Sequence, residues 1–329
     1  MKLVARTVLA LVAGVVAVPT AMAVTGVANA DPDTSSSAYP YALNGGGSDT
    51  TEELMTDIAN NVKVGGVPVI GNWSAKGGAF DTNGSAAGCS YAGNAGVAAG
   101  AGIRPDGSGA GRDRLEEAMD PSNAYFGCLD FARSSSGSTK ADQTKLALAV
   151  DTLTYAVRSD SGLSKKFTLA QLQSIYQCKV PTIHPLLPQA GSGSRSVWEN
   201  LMGITDAALP ACINDKIQEN DGTSLGTDKF AVMPYSSSQW AAQTAGVISD
   251  VHGVSALGAI NSIPGLASNG AGAGVRTVYN VVSTARLNSS SPDDALLQQV
   301  FKGPNSLVCA QTASIGRQGF LPTASCGSN

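Results

Sequence analysis

Three stretches of the chain run from glycine and hydroxyl residues straight into a helical pattern, and these carry the residue types that could do chemistry. The first is Gly45-Gly46-Gly47-Ser48-Asp49-Thr50-Thr51-Glu52, with Leu54 and Ile58 behind it as a buried face. The second is Arg104-Pro105-Asp106-Gly107-Ser108-Gly109-Ala110-Gly111, backed by Leu115, Ala118 and Met119. The third is Gln189-Ala190-Gly191-Ser192-Gly193-Ser194-Arg195, backed by Val197, Leu201 and Met202. The first turn of a helix leaves backbone N–H groups unpaired and carries partial positive charge. Glycine lets a ligand approach that backbone, and Ser or Thr hydroxyls add donors, so each junction suits a small oxyanion such as phosphate. A fourth stretch, Asp130-Phe131-Ala132-Arg133-Ser134-Ser135-Ser136, adds a guanidinium beside further hydroxyls. The candidate ligand-binding residues are Asp49, Thr50, Thr51, Ser108, Gly109, Arg133, Ser134, Ser135, Ser192, Gly193 and Ser194, with Arg104 and Arg195 in a second rank. No stretch follows the P-loop or dinucleotide-binding pattern.

The elements that must hold these junctions alternate between strand and helix. Cys128–Ala132, Leu146–Val157 and Val278–Val282 read as strands; the second is a long apolar run interrupted only by Asp151 and threonines. Leu169–Tyr176 reads as a helix capped by Thr168, and Asp293–Phe301 as another with Leu296, Leu297, Val300 and Phe301 on one side. Asp49 with Glu52, or Thr50 with Glu53, has the spacing of a capping box at the first junction. Gly270–Gly274 reads as a loop near a crossover. Alternating strands and helices imply an α/β architecture with mainly parallel sheets.

Bulk properties set the compartment and exclude several partners. Lys2 and Arg6 precede the apolar run Thr7–Val18, and Ala28-Asn29-Ala30 supplies a small-x-small pattern before Asp31. Residues 1–30 therefore read as a signal peptide cleaved after Ala30, with Ala21-Met22-Ala23 as a second pattern. The apolar core falls short of the roughly 20 residues of a membrane span, so no stable membrane insertion is expected. No cysteine lies near it to take a lipid, so a secreted, extracellular protein is expected. Residues 31–40 read as a flexible lead-in. The 329-residue chain has a net charge of −4, which argues against nucleic acid or anionic lipid as partner. Six cysteines after a signal peptide read as three disulfides. The shortest loops come from Cys89–Cys128, Cys178–Cys212 and Cys309–Cys326, and this pairing is the expectation, with others open. No CxxC or Cys/His cluster is present, so no metal and no cofactor are expected.

In their order along the chain, the four junctions resemble the type II periplasmic-binding-protein fold, and within it the phosphate-binding proteins of ABC transporters. Gly45–Thr51 matches that family's first Gly-rich loop, Gly107–Gly111 its second, Asp130–Ser135 its strand-end loop, and Pro188–Ser194 its second-lobe turn. Phe167–Tyr176 is similar to the family's Leu-Thr-x-x-Gln-Leu helix. The resemblance implies two lobes, each a mixed, mostly parallel sheet flanked by helices, joined by a two-crossover hinge. Lobe one would comprise residues 41–152 and 277–329, and lobe two 153–276. It implies a monomeric receptor closing on an oxyanion and delivering it to an ABC permease. Two positions depart from the family: its second-lobe arginine is Pro188 here, and its acceptor aspartate falls on Ser135. Arg133, Arg104 or Arg195 would then replace the arginine, and Asp49 or Asp130 the acceptor.

Other classes have less support. His184 and His252 are the only histidines, and no GxSxG elbow accompanies them, so a Ser/His/Asp hydrolase is not expected. A phosphatase built on the same oxyanion cage would need a metal or an activated nucleophile, and neither is seen. A surface or adhesion protein of the same fold without a phosphate ligand is the alternative, as is a binder of another small solute. Trp73, Trp198 and Trp240 read as packing residues, with Trp198 near the third junction and Tyr235 near the cleft.

Overall fold

A computed structural model describes residues 31–33, 36, 41–76, 104–123, 125–265 and 272–329. The expected signal peptide, most of the lead-in, Cys89 with its pairing to Cys128, and the start of the Gly270–Gly274 loop lie outside the described residues.

In chain order, the elements that matter begin with β1 (Leu43–Gly47), α1 (Glu52–Asn61), β2 (Ile70–Asn72), α2 (Ser108–Met119), β3 (Phe131–Ser134) and the long β4 (Gln143–Arg158). Next come α3 (Leu169–Tyr176), β5 (His184–Pro188), α4 (Gly193–Met202), β6 (Asn214–Ile217), β7 (Ala231–Ser236), α5 (Ser237–Thr244) and β8 (Ser255–Leu257). The chain ends with β9 (Val275–Ser283), α6 (Thr284–Leu287), α7 (Pro292–Phe301), α8 (Thr312–Arg317) and β10 (Leu321–Pro322). These strands form one sheet in the order β2-β1-β3-β9-β4-β7-β5-β6, with β8 and β10 also paired to β4. Outer strands pair in parallel (β1 with β2 and β3, β5 with β6 and β7). The two crossing strands pair antiparallel to each other and to their neighbours, so the sheet is mixed.

Strand β4 explains the division into lobes. Its near-continuous apolar run suits a strand covered on both faces. From Gln143 to Thr152 it pairs with β9, and from Leu153 to Ala156 with β7. The core changes at the same point. Leu146 and Leu148 pack with Leu54, Met55, Ile58, Phe131, Val282 and Phe301, the Phe131 and Phe301 rings being 4.8 Å apart. Leu153, Tyr155 and Val157 pack with Leu172, Tyr176, Leu187, Trp198 and Val232, with Trp198 edge-on to Tyr176. Each lobe thus has its own core, and β4 with β9 carries the chain between them.

The helices obey their sequence signals with one exception. Thr168 Oγ1 accepts from Gln171 N while Gln171 Oε1 accepts from Thr168 N, a reciprocal capping box at α3. Helix α7 starts at Pro292 under a Ser291 cap and buries Leu297, Val300 and Phe301. The capping box expected at Asp49/Glu52 or Thr50/Glu53 is not formed. A single 3-10 turn, Asp49–Thr51, precedes α1, and the Glu52 carboxylate accepts from Ser74 Oγ (2.8 Å) and Ala75 N (2.6 Å) instead. The third strand also starts later than expected, at Phe131, with Cys128 and Leu129 in the turn before it. Two of the expected disulfides are present, Cys178–Cys212 and Cys309–Cys326. No helix among the described residues is long and apolar enough to cross a membrane.

Where the chain returns from lobe two, Leu153 N donates to Gly274 O (2.8 Å), and a Cβ on Gly274 would overlap the Leu153 carbonyl. Only glycine permits this approach of two backbones at the crossing. Gly274→Val is expected to cost about 1–3 kcal/mol or more, the range of overpacking, seen as a lower urea midpoint. An unchanged midpoint would show that the crossing tolerates a side chain.

Candidate ligand-binding cleft

The three loop–helix junctions meet between the lobes. Helices α1 and α2 present their N-termini from lobe one and α4 from lobe two. Gly109 N donates to Gly191 O (2.8 Å), tying α2 to the loop before α4. Gly193 sits so close to the Ser108 and Ser135 hydroxyls that a Cβ there would overlap both. Ser108 Oγ lies 3.2 Å from Ser135 Oγ and accepts from Ser135 N (2.9 Å), while Thr50 Oγ1 lies 3.3 Å from Ser194 Oγ. Thr50, Ser108, Ser135 and Ser194 are all buried. The sequence-predicted residues of three junctions and the strand-end loop thus converge on one hydroxyl-rich seam.

The charged group at this seam comes from the hinge. Arg276, near the start of β9, donates through Nη1 to Ser194 Oγ (3.0 Å) and to the Ser135 carbonyl (3.4 Å). Its Nε and Nη2 bond Asp151 Oδ2 of β4 at 2.9 and 2.8 Å. Asp151 Oδ1 in turn accepts from Ser236 Oγ (2.8 Å) and Ser238 N (3.3 Å) at the start of α5.

The arginines singled out in the sequence lie elsewhere. Arg133 is fully buried and its five N–H groups are spent inside lobe one: Nε on Ser48 O, Nη1 on Asn72 Oδ1 and Trp73 O, and Nη2 on Gly47 O and Glu52 Oε2. It positions the loop entering α1. Arg195 donates to Glu199, Asp206, Asp215 and the Pro188 carbonyl. Arg104 pairs with Asp31 and lies over Trp73. Ser134 Oγ donates to Ser136 O and accepts from Arg112, and Asp130 is bonded to Asn44 N and Arg286. His184 and His252 pair with Asp228 and Asp250, both exposed carboxylates. Trp73 and Trp198 are buried in the two lobes.

Lobe two contributes a segment the sequence did not announce. Glu219 Oε2 accepts from Ser192 Oγ (2.6 Å) and Ser194 N (3.3 Å), so a carboxylate of the protein itself caps α4. Asn220 Nδ2 donates to Thr50 Oγ1 (3.0 Å), Gln239 Nε2 to Thr50 O (2.8 Å), and Gln218 to Asp49 and Asp106 across the cleft. Beside the seam is a cavity of about 150 Å³ bordered by Asp49, Glu52, Glu53, Glu219, Asn220 and Gln239, among others. Burial, and then the neighbouring Glu219, Asp106 and Glu52, hold the Asp49 carboxyl well above the usual range. Burial and Glu52 push Glu53 up to about 7. Asp151 stands out in the sequence as the one charge in an apolar strand run, whereas its partner Arg276 has no such signal. Gln218-Glu219-Asn220 reads as an ordinary polar loop.

A scan against family models finds no match, and a search of curated proteins finds none either. Among solved structures, the chain is similar to an ABC-type phosphate transport receptor from Vibrio cholerae, at 15% identity and a TM-score of 0.51, covering 85% of this chain and 99% of that one. It is also similar to a protein assigned as a phosphate ABC transporter substrate-binding protein, with phosphate bound, from Clostridium perfringens, at 14% identity and a TM-score of 0.56, over 85% and 99%. The chain has the two-lobed type II periplasmic-binding-protein fold. Across the interlobe cleft the N-termini of α1 and α2 meet that of α4.

Removing the Arg133 guanidinium would strand the carbonyls of Ser48, Gly47 and Trp73. Arg133→Ala is therefore expected to lose about 3–5 kcal/mol, the cost of breaking a buried charged network, measured by urea unfolding; a loss below about 1 kcal/mol would contradict the positioning role. Glu53 holds its proton to higher pH in the folded chain than in the unfolded one, where its ordinary value is 4.5. Folding then takes up a proton between about pH 4.5 and 7, and stability falls as pH rises through that window. Glu53→Gln should raise Tm more at pH 8 than at pH 5. An equal shift at both would show that Glu53 titrates normally.

Proposed function

We propose that the protein is an exported solute-binding receptor whose lobes close on a small oxyanion, inorganic phosphate being the first candidate. The observation that carries this reading is the meeting of three helix N-termini and the Arg276 guanidinium at one buried, hydroxyl-rich seam. Oriented N–H groups, hydroxyls and one guanidinium form the donor set that a tetrahedral oxyanion requires. In this reading Thr50, Thr51, Ser108, Gly109, Ser135, Ser192, Gly193 and Ser194 supply donors or close backbone approach, and Asp49 borders the site. Arg276 takes the part expected of Arg133, Arg104 or Arg195. Two donor lobes contact the anion together only in the closed state, so binding favours closure. Donors from several elements converge on one point, and capture is the role this donor set suits.

The resemblance of the fold to ABC-type phosphate receptors supports delivery to a permease. Cleavage after Ala30 and release outside the cell follow from the leader pattern and are in keeping with the two disulfides. The lobe boundaries proposed are residues 152/153 and 276/277, beside the point where β4 changes partner.

Titration calorimetry of the mature protein with phosphate and sulfate tests the reading. Micromolar or tighter phosphate binding is expected, weakened about 10-fold or more in Ser135→Ala and Ser194→Ala, since a hydrogen bond to a charged group contributes about 1.5–3 kcal/mol. No heat and no thermal shift with either anion would sink the reading, and would favour a surface protein whose cleft closes on its own Glu219.

A further inference from the structure

The cavity beside the seam has the wrong charge for a second anion. Its walls carry Asp49, Glu52, Glu53 and Glu219, with Lys76 as the only cation among the bordering residues, and Lys76 is exposed at the rim. Glu52 is already matched by Arg133. The others have no cationic partner at hydrogen-bond distance among the described residues. Glu219 decides the matter. It is only 3% exposed, one oxygen caps α4, and the other, Oε1, has no hydrogen-bond partner. Asp49, another residue bordering the cavity, likewise has a buried oxygen, Oδ1, without a partner. A buried carboxylate oxygen without a donor costs a large part of its hydration free energy. Both oxygens can accept, and an approaching cation favours the ionised carboxylates, so the occupant they suit brings donors and positive charge. Several carboxylates facing one cavity further select a positive charge. The volume, about 150 Å³, is enough for a group the size of benzene. Ile248 and Val251 on the same wall offer apolar contact to a short alkyl arm.

Resting on the oxyanion reading of the adjoining seam, we propose that the ligand is a zwitterion whose ammonium group enters this cavity and bonds Glu219 Oε1 and Asp49 Oδ1. The oxyanion end lies against Ser108, Ser135, Ser194 and Arg276. Glu219 joins the two halves of the site, since its Oε2 bonds Ser192 and Ser194 at the seam while Oε1 faces the ammonium. An aminoalkyl phosphate ester has this arrangement of charges, and inorganic phosphate fills only half of the site.

Calorimetry of the mature protein with inorganic phosphate, 2-hydroxyethyl phosphate and 2-aminoethyl phosphate separates the two readings. The hydroxyl and amine esters match in size and differ in charge at the free end. Binding of the amine ester is expected to be at least 10-fold tighter than that of the hydroxyl ester. Asp49→Asn should remove that advantage, bringing the affinities of the two esters to within about 2-fold of one another. Glu219→Gln should do the same where its altered α4 cap leaves Tm intact. Equal affinity for the two esters in the wild type would overturn the ammonium site and leave the oxyanion reading standing. Absence of binding by all three compounds would overturn the oxyanion reading, and this inference with it.

Discussion

The buried pair between Asp151 and Arg276 is the contact on which the arrangement of the two lobes depends. It joins the two strands that carry the chain between lobes, one residue short of the point where β4 exchanges β9 for β7. A buried ion pair is costly to desolvate and persists where further hydrogen bonds satisfy both partners. Here they do. Asp151 also receives the hydroxyl of Ser236 and the amide of Ser238 from lobe two. Arg276 also reaches Ser135 in lobe one and Ser194 in lobe two. Lobe one, lobe two and both crossings thus meet in one polar network, and a change in the angle between the lobes must alter it.

That network places a cation where three helix N-termini already concentrate positive potential. The protein balances part of this charge from its own chain. Glu219 caps α4, and Asp49, Glu53 and Glu219 border the space next to it. The raised proton affinity of Asp49 and Glu53 has the same origin, since burial and mutual repulsion make full ionisation of the group unfavourable. Seam and cavity are therefore electrostatically opposite neighbours a few side chains apart. A ligand bearing one charge meets one favourable and one unfavourable field, while a ligand with two opposite charges meets two favourable ones. Closed lobes held by Gln218, Asn220 and Gln239 across the cleft add neutral contacts that do not discriminate between these ligands.

Much of the scaffold was legible in the sequence because it depends on local pattern. The apolar run of β4, the Thr168 cap of α3, the α7 face and the two short-range disulfides each follow from residues near one another in the chain. The convergence of the Gly-rich junctions was implied by the resemblance of their order along the chain to a known two-lobed fold, and by no single junction taken alone. The failures involve partners distant in sequence. Glu52 has the spacing of a capping-box residue, yet Ser74, Ala75 and Arg133 compete for its carboxylate and win. Arg133 stands among serines at a strand end, as a ligand donor would, and the carbonyls of Gly47, Ser48 and Trp73 consume it. Nothing local distinguishes Gln218-Glu219-Asn220 from any polar loop; β6 sets them in the cleft.

The location of the seam arginine follows from the same reasoning. A guanidinium on the loop before α4 would belong to lobe two alone. That position is Pro188, whose carbonyl instead accepts a hydrogen bond from Arg195. The arginine at the seam sits on a crossing strand, anchored by Asp151 on the other crossing strand. Its position is then fixed by the hinge and not by either lobe, and its Nη1 reaches hydroxyl and carbonyl oxygens contributed by both. An anion held there would draw on lobe one through Ser135 and on lobe two through Ser194 at once. Differential contact of this kind is what allows ligand binding to shift an open–closed equilibrium. A cation carried by one lobe would bind an anion equally well with the lobes apart.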